Sequence, residues 1–199
     1  MTFLRELLPI IIAGLTTGSN EQREHAAYAI GDLMERTDEN AIKPFVVPFT
    51  GPLIRVATQA TTYPPGVKIA IPSALTSMLE CIPLFVKPFF SQLQRTFVKS
   101  VSDPSSSAVR SKAAEALGVL MTNQPRVDPV IIELVAGVKS NDDSIATSFL
   151  LALANVLRNA SQSVGDKARE ACIDIVSEVF GDDHDGMHLH LDFIHRLLI

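Results

Sequence analysis

The sequence predicts an all-α fold, a solenoid of about five stacked helical hairpins. Three observations carry that prediction. First, one helix is written twice. In NEQREHAAYAIGDLM (residues 20–34) and SAVRSKAAEALGVLM (residues 107–121), Arg23, Ala26, Ala27, Gly31, Leu33 and Met34 recur as Arg110, Ala113, Ala114, Gly118, Leu120 and Met121, each pair 87 positions apart. Second, the apolar residues of both copies fall at i, i+4, i+7 and i+8: Ala26, Ile30, Leu33, Met34 and Ala113, Leu117, Leu120, Met121. That is one stripe of a 3.6-residue helix. Third, two weaker copies exist. In VKIAIPSALTSML, Lys68, Leu75 and Met78 align with Arg110, Leu117 and Leu120; in IATSFLLALANVL, Phe149, Leu153 and Val156 align with Ala113, Leu117 and Leu120. The marker positions 23, 68, 110 and 146 are spaced by 45, 42 and 36. A helix–turn–helix unit of about 40 residues is the period of HEAT-type repeats, whose apolar faces are buried on neighbouring repeats. No strand-like alternation with Asn-Gly or Asp-Gly turns interrupts the pattern.

The repeats are expected over residues 3–37, 41–82, 84–123, 126–160 and 163–199. The first pairs LRELLPIIIAGL with the helix at 20–34. The second opens with AIKPFVVPFTGPLIRVA, where Pro44, Pro48 and Pro52 predict a kink or a late helix start, and Pro72 predicts a kinked or shortened second helix. The third opens with FVKPFFSQLQRTFVKSV. Here Asp103-Pro104 reads as an N-cap followed by a proline at the first helical position, with Ser105 to Ser107 adding capping chemistry. In the fourth, Asp128-Pro129 repeats that signal ahead of VIIELVAGV. The fifth begins with SVGDKAREACIDIVSEVF and runs into GMHLHLDFIHRLLI. Neither end carries the polar capping repeat of a finished solenoid, so further repeats are expected on both sides.

Composition narrows the function. The chain is 47% hydrophobic with a net charge of −5, which disfavours a basic nucleic-acid module over the whole chain and direct DNA binding with it, while leaving room for a local basic stripe. No apolar stretch reaches the ~20 residues of a membrane span. The run from Leu7 to Leu15 follows Arg5 as in a signal peptide, but Glu6 interrupts it and no small-x-small cleavage site follows. Cys81 and Cys172 read as small core hydrophobes, without disulfide or zinc spacing, as in a reducing, cytoplasmic compartment. No GxSxG, Walker A loop, GxGxxG or HExxH is present, so neither an enzyme nor a cofactor is expected. The C-terminal cluster of His184, His188, His190 and His195 among Asp182, Asp183 and Asp185 is the one metal-like signal. Gly181 and Gly186 make it a solvated turn leading into an unpaired helix rather than a zinc site.

Two groups of charged residues remain. Arg23 and Arg110 open the echoed helices, Asp103 lies seven residues before Arg110, and Asp142 and Asp143 occupy the matching turn of the next repeat. They are expected to form an inter-repeat ladder of bidentate Arg–carboxylate clamps, ending at the fourth repeat where Ala146 replaces arginine. Gln92, Arg95 and Lys99 share one stripe of a first helix, opposite Leu93, Phe97 and Val101. With Arg55 they are expected to make an exposed docking patch for an acidic partner.

GPLIR (51–55), the run from QLQRTF (92–97) to ALG (116–118), and RVDPVIIELVAGV (126–138) resemble the C-terminal part of the very large HEAT-repeat translational regulators of the general control non-derepressible protein one family. The resemblance covers most of residues 7–160 and little of the last twenty. It implies a non-catalytic scaffold, in or next to the region that docks the RWD domain of the amino-acid-starvation kinase, which phosphorylates the alpha subunit of initiation factor two. Other parts of such a protein engage the ribosome. GPLIR and QLQRTF argue against the rival reading, a transport- or phosphatase-type HEAT scaffold. Ribosome or RNA binding by this segment needs a continuous basic face, and the net charge of −5 makes it a poor candidate.

Overall fold

The computed structural model describes residues 2–59 and 62–180, and every regular element among them is helical. The first hairpin is α1 (Thr2–Thr17) and α2 (Asn20–Arg36). α2 begins at a capping box: the Ser19 hydroxyl accepts from the Gln22 amide, and the Gln22 side chain accepts from the Ser19 amide at 2.8 Å. The second hairpin is α3 (Glu39–Ile42), α4 (Val46–Thr58) and α5 (Pro65–Cys81); the third is α6 (Pro83–Val86), α7 (Phe90–Val101) and α8 (Ser107–Thr122). Between α3 and α4, and again between α6 and α7, three residues form a 3-10 turn with the same sequence, Lys-Pro-Phe, at 43–45 and 87–89. A proline lacks the amide that the preceding α-turn needs and crowds its carbonyl, so the chain tightens for one turn and starts a new helix. The expected kink is therefore a break at Pro44, written a second time at Pro88. Pro48 lies in the first turn of α4, where a missing amide costs little, and only Pro52 falls inside it.

α5 runs unbroken through Pro72, against the expectation of a shortened helix. Pro72 is itself buried, and α5 packs on α2 along one side and α8 along the other. Burial on two faces holds the helix together across the lost hydrogen bond. The fourth hairpin is α9 (Asp128–Val138) and α10 (Asp143–Ala160), and α11 (Asp166–Phe180) follows against α9. α10 is capped by the Asp142 carboxylate, which accepts from the Ser144 amide at 2.9 Å and the Ile145 amide at 3.2 Å. The two Asp-Pro signals serve differently from expected. α8 starts at Ser107 after Ser106, which makes no side-chain cap, and Asp128 is the first residue of α9 rather than its cap. Both carboxylates are turned to other partners, described below.

The second helices α2, α5, α8 and α10 pack in series, and the first helices α1, α4 and α7 meet in succession beside them. The core runs along the seam. Ile30, Leu75, Leu117 and Leu153, one residue from each repeat at the same place in the pattern, are all 0% exposed; each such side chain contributes roughly 1.5–3 kcal/mol by burial. The register is set by small residues. Gly31 faces Ser77 and Ala74 of the next second helix, and Gly118 faces Asn155, the residue equivalent to Ser77. Ala74 is buried at the first of these contacts, and its equivalents Ala116 and Ala152 are buried too. No single helix among the described residues is long and apolar enough to cross a membrane.

Candidate functional site

Behind the surface runs a buried polar spine. The Lys68 ammonium, on α5, donates to the Asp103 carboxylate at 2.8 Å and to the Ser105 hydroxyl at 3.0 Å. The side chains of Lys68 and Asp103 are 5% and 10% exposed. Asp103 also accepts from the Ser105 amide at 2.8 Å and from its hydroxyl. Burial alone would raise the Asp103 pKa; the hydrogen bonds from Lys68 and Ser105 and the ammonium charge outweigh it and hold the carboxyl below its usual value. The Asp103 carbonyl accepts from Arg110 Nη1 at 3.0 Å, while Arg110 Nε donates to the Ser148 hydroxyl at 2.8 Å and Nη2 to that of Ser144. One continuous chain thus joins repeats two, three and four.

The spine corrects the expected ladder. Arg110 clamps a carbonyl and two hydroxyls, not a carboxylate, because Asp103 is taken by Lys68 and Asp142 by the cap of α10. Asp143 is exposed in the first turn of α10, where its carbonyl accepts from Thr147. Arg23 repeats the seven-residue link by donating to the Thr16 carbonyl at 3.1 Å, but its Nε is buried without a partner. The positions equivalent to Ser144 and Ser148 in the second repeat are Gly66 and Ala70, which offer no hydroxyl; the Tyr63 ring lies 5.1 Å from the guanidinium instead. Past Ala146 the links change type. Asp128 accepts from the Gly165 amide at 2.8 Å, and Lys139 pairs with Glu178 at 2.8 Å across an exposed gap. Lys68 was legible as a spine member, since it stands at the arginine position. Ser144 and Ser148 carried no signal, because hydroxyls are ordinary on helices.

The docking residues lie on the exposed surface of α4 and α7. Arg55, Gln92, Arg95 and Lys99 are exposed, while Leu93, Phe97 and Val101 are buried. Arg95 and Lys99 line a groove of about 260 Å³ between the ends of α4 and α7, closed by Thr58, Thr96 and Asp103; Arg55 stands outside it. None of Arg55, Arg95 and Lys99 joins an ion pair among the described residues, and neither α4 nor α7 contains an acidic residue. The second-helix layer is richer in acids: Asp32, Glu35, Glu80 and Glu115 line a groove of about 300 Å³ with Tyr28, Ser77 and Lys112, which pairs with Glu115 at 2.9 Å. Cys81, expected in the core, is exposed at the end of α5, and burial followed by the Glu35 and Glu80 charges raises its pKa. Cys172 is buried, which pushes its thiol up to about 12. The histidine cluster from His184 to His195 lies outside the described residues. Among those described, no group of histidine, cysteine and carboxylate side chains is placed to hold a metal.

No protein-family model matches the chain. It is 43% identical over 182 residues, 91% of its length, to the eIF-2-alpha kinase activator GCN1 of Saccharomyces cerevisiae. It is 37% identical over 186 residues to Protein ILITYHIA of Arabidopsis thaliana and 36% identical over 184 residues to the stalled ribosome sensor GCN1 of Homo sapiens. The chain spans 7% of the length of each of these relatives. Among solved structures, an engineered protein matches with a TM-score of 0.63 at 18% identity, covering 96% of this chain and 77% of that one, which is a likeness of fold alone.

Proposed function

Because this chain belongs to the GCN1 family, as a segment of a far longer protein, we propose that it is a non-catalytic scaffold of the amino-acid-starvation response that docks the RWD domain of the eIF-2-alpha kinase. The docking face would be Arg55, Gln92, Arg95 and Lys99. The observation that carries this reading is a set of three exposed cations that join no ion pair among the described residues, on two adjacent helices without a carboxylate. Such a face attracts and orients an acidic partner. The relatives' names, kinase activator and stalled ribosome sensor, supply the pathway. The mechanism is tethering: a kinase held on a ribosome-bound scaffold meets its activating signal at a raised effective concentration, in the cytoplasm, with the ribosome contacted by other parts of the full-length protein.

The test is a titration of the 199-residue chain with labelled RWD domain at two ionic strengths. Arg95→Glu with Lys99→Glu should weaken binding mainly through a slower association rate and a shallower salt dependence. Melting should barely move, since exposed charges contribute little to stability. Failure of the unmodified chain to bind the RWD domain at either salt would end this reading.

A further inference from the structure

Among the described residues, the second helices meet at three joints: α2 on α5, α5 on α8, and α8 on α10. The face that each turns to the next carries three residues spaced by four, which share one side of a helix. In α2 they are Arg23, Ala27 and Gly31, and in α8 they are Arg110, Ala114 and Gly118. Two small residues follow the arginine, so the next helix comes in close: Gly31 faces Ala74 and Ser77, and Gly118 faces Asn155. At the middle joint all three positions differ. The equivalents in α5 are Lys68, Pro72 and Thr76.

Each replacement loosens the joint or moves its hold to one end. Lys68 pins α5 to the start of α8 through Asp103 and Ser105, at 2.8 and 3.0 Å. Pro72, one turn further on, removes a hydrogen bond from α5. With Lys68, Asp103 and Val109 it lines a cavity of about 10 Å³, whose walls forfeit packing contacts on that side. Thr76 is buried, and its hydroxyl donates to the Pro72 carbonyl at 2.8 Å. It puts a branched side chain where the other joints have glycine, and it borders the groove whose wall on α8 is Lys112 and Glu115. α5 accordingly meets α8 less extensively than α2 meets α5 or α8 meets α10. Pin and spacer are eight residues apart, about 12 Å at helical rise. Two helices held at one end and spaced at the other are free to pivot.

We propose that the α5–α8 joint is the hinge of this segment. Repeats one and two move as one body and repeats three and four as another, turning about the Lys68–Asp103 pair, and the groove between Glu80 and Glu115 widens and narrows as they turn. Each repeat of a solenoid touches only its neighbours, so one soft joint sets the curvature of the stack. Arg55 belongs to one body and Gln92, Arg95 and Lys99 to the other, so bending changes the spacing of the proposed docking face. The hinge stands without that docking, and its test uses no partner.

The measurement is the distribution of distances between paired spin labels on the 199-residue chain. Cys81→Ser removes the exposed thiol, and buried Cys172 is left in place. One pair, Arg36→Cys with Thr122→Cys, spans the hinge; the other, Glu6→Cys with Glu80→Cys, lies within the first body, and all four positions are exposed. The hinge-spanning distribution should be about twice as broad as the other. Pro72→Ala with Thr76→Gly restores the residues of the other two joints and should shorten the distance and narrow its spread. Thr76→Ala, which removes the spacer without placing a glycine in a helix, should shift the distribution the same way. Equal widths for the two pairs in the unmodified chain overturn the proposal, as does an unchanged hinge-spanning distribution in the variants.

Discussion

Two charged side chains buried together at Lys68 and Asp103 are a liability unless each satisfies the other. Asp103→Asn leaves the ammonium at 5% exposure without a counter-charge, and about 3 kcal/mol of stability should be lost in urea melts of the variant. The pair also sets an acid limit. The folded Asp103 carboxyl titrates below its unfolded value, so its contribution is full above the ordinary carboxylate pKa of about 3.9 and disappears as pH falls through the lower, folded value. Stability measured against pH should fall less steeply in Asp103→Asn than in the unmodified chain over that acid window; equal slopes would show that the pair does not carry the effect. At this scale the sequence was half legible. The arginine at 110 and the acid seven residues earlier announce a link, and the link exists. Its chemistry was hidden, because which side chain meets Arg110 depends on how far α10 slides along α8, and a serine hydroxyl on a helix leaves no mark in the pattern.

The helices show the same division between pattern and register. Their existence was readable from apolar stripes, and the break in the first helix of repeat two from its prolines. The proline in α5 did not shorten the helix, since tertiary burial on both faces overrode a local breaking signal. Close approach is governed by two glycines with different neighbours. A Cβ added at Gly118 would stand 2.9 Å from the Asn155 side chain and also 2.9 Å from its backbone oxygen, whereas at Gly31 the nearest atom is the Ser77 hydroxyl at 3.4 Å. Backbone cannot step aside as a hydroxyl can. Gly118→Ala should therefore cost about 1–3 kcal/mol by forcing α8 and α10 apart. Gly31→Ala should be close to neutral, with the better helix propensity of alanine, up to about 1 kcal/mol, offsetting a small shift of Ser77. Thermal melts of the two single variants measure the contrast, and equal losses would mean that both interfaces yield alike.

Across the whole molecule, the stack was legible because one apolar stripe recurs at the same place in each unit, and Leu117 stands at its centre. Leu117 is 0% exposed, and Leu117→Ala should cost about 2–5 kcal/mol through the cavity it leaves between repeats; a loss below about 0.5 kcal/mol would place the stripe on the wrong side of α8. The distribution of charge was not legible from the total, because a sum of −5 says nothing of which layer holds which sign. That distribution has its own consequence. With Asp32, Glu35 and Glu80 on α2 and α5 and exposed ammonium and guanidinium groups along α4 and α7, the segment carries an electric dipole component that points from the second helices towards the first. A dipole in a non-uniform field feels a torque before it feels a contact. Close to a polyanion the segment turns its first helices forward and its second helices away, and this alignment begins within about one screening length, ~8 Å at physiological salt. Orientation is thus selected during approach, so that fewer encounters are wasted on the wrong face.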